Sequence, residues 1–229
     1  MRYQKLLARL HYLGNTRQPD ECIREIIERV PGWSGFAHYY FFTALMGALL
    51  ESKADAAHML MLGVYRGRDL SFIADIIRRN HQDRVDAVKI IGVDKFSDTP
   101  CRDWPEEKLG KDWIAAGFGP PPSIEEARKN IGEQAPVTLV QANDEDYLRM
   151  IAQAEWYKFD AIYIDTSHDY ETVARQIRQC RPLLKPDGIL CGDDYLEDPQ
   201  WGVIRGVNEL CPERAIFASC WAAPAAISP

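Results

Sequence analysis

The chain has 229 residues, enough for one well-buried domain, and its 46% hydrophobic and 27% charged residues are ordinary for a folded globular protein. A net charge of −7 argues against a sequence-independent grip on nucleic acid, which needs Lys and Arg to replace counterions. The six cysteines, at 22, 101, 180, 191, 211 and 220, form no C-x-x-C pair, so no zinc ribbon is expected; Arg2, Lys5 and Arg9 stand where a secretory signal would be apolar, and the reading is a reduced, cytoplasmic protein.

Residues 3–13 and 20–29 carry apolar residues at helical spacing, Leu6, Leu7, Leu10 and Leu13 and then Cys22, Ile23, Ile26 and Ile27, with Asp20 placed to cap the second helix. Pro31-Gly32 breaks the chain, and a third helix is predicted from Phe36 to Glu51. Gly35 to Leu50 is almost wholly apolar but shorter than the ~20 residues a bilayer needs, so it reads as a buried helix and no membrane partner is expected. Residues 1–52 therefore form a helical lead-in that serves as a lid, a homodimer surface or plain packing.

Over residues 53–229 strands and helices alternate. Ala57 to Gly63 is an apolar strand, Asp69 to Arg79 a helix, and Val88 to Val93 a strand ending at Asp94. Pro136 to Gln141 follows as a third strand, then Phe159 to Asp165, a helix between Asp169 and Leu184, Gly188 to Gly192, and Ala215 to Ala222. Such a pattern implies an α/β, Rossmann-like fold, a mostly parallel sheet with helices on both faces. The stretch from Ser97 to Asn130, with Pro100, Trp104, Pro105 and Trp113, is too long for an ordinary connection; it covers a site or is a variable surface loop.

Open parallel sheets bind ligands past the strand ends, where strand order reverses. In Leu62-Gly-Val-Tyr-Arg-Gly67, Gly63 and Gly67 let the backbone run close to a ligand. The turn is neither G-x-G-x-x-G nor a G-K-[ST] loop, which counts against a dinucleotide or a triphosphate. Asp94, about thirty residues on, is placed to accept from ribose hydroxyls or to cap a turn, and Gln141-Ala142-Asn143-Asp144 to meet a purine edge or cap a helix.

Two later strands stop at carboxylates: Asp165, followed by Thr166-Ser167-His168, and Asp193-Asp194. The crossover between them is right-handed and opens both ends on one edge of the sheet. If the strands are neighbours, about 4.8 Å apart, the three acids converge and resist joint ionisation unless a cation sits among them. Against this stand plainer roles: Asp165 and Asp169 as helix caps, Asp193-Asp194 as a solvated turn and His168 as an exposed helix-start histidine. His11, His38, His58 and His81 show no ligand spacing, and Trp33, Tyr39 and Tyr40 are core residues or substrate contacts.

On Leu62-Gly-Val-Tyr-Arg-Gly67, Ile91-Gly-Val-Asp-Lys-Phe96, Tyr163-Ile-Asp-Thr-Ser-His-Asp-Tyr170, Leu183 to Tyr195 and Trp201 to Glu209, the chain resembles class I S-adenosylmethionine-dependent methyltransferases. More narrowly it is similar to the metal-dependent macrocin and mycinamicin sugar O-methyltransferases and the cephalosporin-hydroxylase-like group. The resemblance implies a seven-stranded sheet whose last strand is antiparallel. It implies a cofactor site of Gly63, Val64, Tyr65, Gly67, Asp94, Lys95, Asn143, Asp144 and Asp165, magnesium on Asp165, Asp193 and Asp194, and catalysis by His168 with Asp165. Met61 stands where members often carry an acid two residues before the glycine, leaving Asp165 or a backbone carbonyl to meet the methionine amino group, and Thr166 stands where relatives often have glycine.

The expected chemistry is methyl transfer to a hydroxyl of a small molecule, a natural-product sugar or similar. Alternatives are a metal-independent methyltransferase with His168 as base and a non-catalytic adenosine-ligand binding protein, with a nicotinamide oxidoreductase further off.

Overall fold

Along β1 (Ala57–Leu62), Ala57, Met59 and Met61 enter one hydrophobic cluster, while Leu60 and Leu62 enter another. That alternation is the two-residue period of a strand covered on both faces. The computed structural model describes residues 2–16, 20–51, 56–97, 113–154 and 158–226. The first cluster is closed by α1 (Arg2–Thr16), α2 (Glu21–Arg29), α3 (Phe36–Leu49) and α4 (Arg68–Asn80), with Ala127 of α5 (Ile124–Ile131). The second is closed by α6 (Asp144–Ala152), α7 (Tyr170–Cys180) and α8 (Val203–Leu210).

The remaining strands are β2 (Val88–Asp94), β3 (Val137–Gln141), β4 (Phe159–Ile164), β5 (Leu184–Gly192), β6 (Ala215–Phe217) and β7 (Cys220–Pro224). They form one seven-stranded sheet in the order β3-β2-β1-β4-β5-β7-β6. The pairs β3-β2, β2-β1, β1-β4 and β4-β5 are parallel; β7 runs antiparallel to both its neighbours. Strand order reverses between β1 and β4, which sets the crevice for a ligand past their carboxyl ends.

The apolar lead-in helices are part of this core. Leu6, Leu10, Ile23 and Ile26 are buried within the chain, and α3 buries residues all round, among them Phe41, Phe42, Leu45 and Leu49. Each such side chain is worth about 1.5–3 kcal/mol of burial. Polar contacts add to this at the start of β4. The fully buried Asp160 pairs with Arg2 of α1 and with Lys185 at 2.8 Å, and accepts the His58 N–H at 2.8 Å. No helix among the described residues is long and apolar enough to cross a membrane.

Two expectations change. The run Ala215 to Ala222 is a hairpin, turning at Ala218 with φ +54, because no Gly or Pro marks the reversal in an otherwise apolar stretch. The helix after Asp169 ends at Cys180, and Pro182 sits in a short 3-10 turn, so β5 starts earlier than the apolar run suggests. In the long insert, residues 98–112, with Cys101, Trp104 and Pro105, lie outside the described residues; Ser123 caps α5 by accepting the Glu126 N–H at 3.1 Å.

Candidate active site

The turn after β1 runs against the end of β4. Gly63 has φ +85, and a Cβ there would lie 1.6 Å from the Asp165 carbonyl oxygen, so only glycine fits. Asp94, at the end of β2, holds this turn: its Oδ2 accepts the N–H groups of Val64 and Tyr65, both at 2.8 Å, and its Oδ1 accepts that of Phe96 at 2.7 Å. These three bonds leave one of the roughly four acceptor sites of a carboxylate. Gly67, φ +84, starts α4.

Asn143 acts as a helix cap, its Oδ1 accepting from Glu145 N at 3.0 Å and Asp146 N at 3.2 Å. Asp144 pairs with the buried Gln176, and burial raises its pKa. Gln176 also accepts from Thr166 at 2.9 Å, which ties the turn after β4 to α7. Lys95 is exposed at the cavity rim, its carbonyl accepting from Gln141 at 3.3 Å.

The register that pairs Ile164 with Gly192 sets Asp165 beside Asp193. The three acids then divide. Asp194 has φ +60, and its Oδ2 lies 2.8 Å from His168 Nε2. Ligand atoms of Asp165, His168 and Asp194 all fall within 4.8 Å of one another. Trp201 stacks on the His168 ring at 4.3 Å, and the Gly202 N–H donates to the His168 carbonyl at 2.7 Å.

Asp193 groups instead with His38 of α3, whose Nε2 lies 2.6 Å from Asp193 Oδ2, and with the Cys220 thiol, 3.9 Å from Oδ1. Gly35 N–H donates to His38 Nδ1 at 3.1 Å, so the neutral form of the ring carries its hydrogen on Nε2, facing the carboxylate. The left-handed backbone at Asp194 separates two consecutive carboxylates. Of the three acids expected to converge, Asp165 and Asp194 group with His168, and Asp193 groups with His38.

Burial, reinforced by Asp194, Asp193 and Asp69, pushes the Asp165 carboxyl well above the usual carboxylate range. Burial also opposes the charge on Asp193, but the His38 hydrogen bond and charge hold its pKa below the usual value. Burial works against the His38 imidazolium too, and the Asp193 contact carries its pKa up. Two carboxyl groups and an imidazole, with the Asp165 pKa raised by burial and by its acidic neighbours, are a donor set that fits a divalent cation.

The glycine turn and both acid groups line one cavity of about 830 Å³. Its outer wall is aromatic: Trp33, 64% exposed, stacks on Tyr65 at 4.8 Å, Trp113 lies 5.5 Å from Tyr65, and Phe118 meets Trp33 edge-on at 5.4 Å. Tyr39 and Tyr40 are buried in the core. Asp169 is the cap of α7, accepting from Thr172 N at 2.9 Å. Sequence reasoning missed His38, Asp69, Ser219 and Trp201 as cavity residues. His38 lies 155 positions from its partner and carries no local signal beyond its place three residues after Gly35.

A family model described as a methyltransferase domain matches residues 60–195, more than half of the chain. The chain belongs to this family of S-adenosylmethionine-dependent methyltransferases. Among solved structures its fold is shared with CalS11, a calicheamicin methyltransferase, at 16% identity over 96% of this chain and 91% of that one, with a TM-score of 0.62. It is likewise shared with an O-methyltransferase from Bacillus cereus in complex with SAH, at 15% identity over 98% and 100% with a TM-score of 0.55. The O-methyltransferase NovP matches at 16% identity over 83% and 80%, with a TM-score of 0.59. No curated protein sequence matches the chain.

Proposed function

We propose that the chain transfers a methyl group from S-adenosylmethionine to a hydroxyl oxygen of a small hydroxylated molecule, a natural-product sugar or a compound like it. The observation that carries this reading is the gathering of Asp165, His168 and Asp194 within 4.8 Å on the cavity that the Gly63 turn also lines. Solved neighbours support it: one is a TDP-rhamnose 3'-O-methyltransferase of calicheamicin biosynthesis, and another holds SAH.

When bound, the cofactor supplies an electrophilic sulfonium methyl group, so the reaction needs alignment more than an oxyanion hole. Gly63 lets the cofactor approach the backbone, Val64 and Tyr65 continue the cradle, Gly67 packs against Ile131 and Ala127 off the cavity wall, and Asp94 steadies the turn while offering its remaining acceptor site to a ribose hydroxyl. The wall of Trp33, Tyr65, Trp113 and Phe118 excludes water and presents a flat apolar face to the acceptor.

An acceptor hydroxyl that takes the place of Asp194 at Nε2 meets the neutral ring with its hydrogen on Nδ1 and gives its proton to Nε2, and the adjacent Asp194 carboxylate stabilises the imidazolium that results. Trp201 holds the ring plane. Holding oxygen and carbon in line supplies about 7 kcal/mol or more of the barrier reduction. A magnesium ion held by Asp165 and Asp194 would lower the hydroxyl's pKa and orient it. The direct His168–Asp194 contact favours a second reading in which the imidazole works without a metal. The five described cysteines are free thiols, which supports a reducing, cytoplasmic setting.

The test is incubation with methyl-labelled S-adenosylmethionine and a panel of sugars and phenols, with mass detection of the product. Labelled product supports the reading; tight SAH binding with no transfer to any hydroxyl favours a non-catalytic binding protein.

A further inference from the structure

We propose that Asp69 holds the ammonium group at the amino-acid end of the cofactor, an inference that rests on the cofactor reading above. Of the cavity's carboxylates, Asp94, Asp144, Glu145, Asp169 and Asp198 carry hydrogen bonds of their own, which leaves Asp69, Asp165, Asp193 and Asp194 with two imidazoles. Asp165 and Asp194 group with His168, and Asp193 with His38. Asp69 is the acid left over. It is the second residue of α4, directly after the Gly67 turn, and it is only 8% exposed. Its Oδ1 is buried with no hydrogen-bond partner among the described residues, although Ser34 hydrogen-bonds the carboxylate.

The cations nearest to it are committed elsewhere. Arg68 donates from Nε to the Val30 carbonyl at 2.6 Å, from Nη1 to Ser34 at 2.7 Å and from Nη2 to Ile27 at 3.0 Å. His38 uses Nε2 on Asp193 and Nδ1 on the Gly35 N–H. The strand offers no other acid on this side of the turn, since Met61 is apolar and 1% exposed. A buried carboxylate with an idle oxygen is costly unless a ligand completes it, and a primary ammonium supplies both the charge and the donor. Burial, opposed by His38 and Ser34 and reinforced by Asp193, holds the Asp69 carboxyl up at about 6, as expected of an acid whose counter-charge arrives with a ligand.

The test is calorimetric binding of SAH and of its deaminated analogue to the wild-type protein and to Asp69→Asn. Loss of a charge-assisted bond weakens SAH binding by roughly ten- to a hundredfold. The analogue, which lacks the ammonium, binds both proteins within about twofold. Equal weakening of both ligands assigns Asp69 a structural role and overturns the proposal, as does unchanged SAH affinity. If Asp69→Asn does not fold, Asp69→Ser carries the same comparison. A wild-type protein that binds neither ligand removes the cofactor reading itself, a result distinct from failure of the Asp69 contact.

Discussion

His38 and Asp193 tie the lead-in helices to the carboxyl edge of the sheet: an imidazole from α3 meets the carboxylate just past β5 at 2.6 Å, with both partners largely buried. Residues 1–52 thereby reach the cavity through a side chain and not only as packing.

That contact sets a pH dependence. The raised His38 pKa gives stability that is complete below the unfolded value of about 6.5 and lost as pH rises through the folded value. The lowered Asp193 pKa gives stability complete above about 3.9 and lost as pH falls through the folded value. Both contributions are present between about pH 4 and about pH 6.5, so His38→Ala costs most in that window. Urea unfolding of both proteins across this range and on either side of it checks the prediction; a stability difference that stays flat with pH contradicts it.

Asp94→Ala strips the acceptor from three backbone N–H groups of the glycine turn and the β2 end. The expected loss is about 1–3 kcal/mol of stability together with weaker SAH binding. Asp94→Asn keeps one acceptor oxygen and falls between the two. Paired denaturation and calorimetry measure both effects, and normal SAH affinity in Asp94→Ala speaks against the turn as the cofactor cradle.

Asp160→Ala leaves Arg2 and Lys185 facing a buried apolar gap at the foot of β4. Lys185 is partly solvated, so the expected cost is about 3 kcal/mol, the lower end for breaking a buried pair. Methyl transfer per folded molecule stays at the wild-type level, because the residue sits at the opposite end of the strand from the cavity.

Chelation separates the two forms of the mechanism. If a cation on Asp165 and Asp194 takes part, EDTA abolishes turnover, magnesium restores it, and Asp194→Asn does not respond to magnesium. Turnover indifferent to EDTA leaves His168 acting alone.

Much of the architecture was legible because the signals are local. Apolar runs bounded by helices, with acids at their ends, are visible along the chain from Ala57 to Gly192, and the β4–β5 pairing follows from the crossover between them. The division of the acids was not legible. It depends on the left-handed backbone of Asp194 and on a histidine from α3, neither of which leaves a periodicity. Asp94 shows a second kind of gap: the sequence marks it as an acceptor, but the three backbone N–H groups already on it meet it only in the folded chain. Asp69 looks like an ordinary first-turn acid of a helix, and only its burial sets it apart.

The most direct test of the account is the turnover of His168→Ala at saturating cofactor and acceptor, with SAH affinity measured on the same preparation. The account predicts a fall of about 10²- to 10⁴-fold in turnover with SAH affinity retained. Wild-type turnover in that variant would contradict a reaction centred on the His168–Asp194 pair.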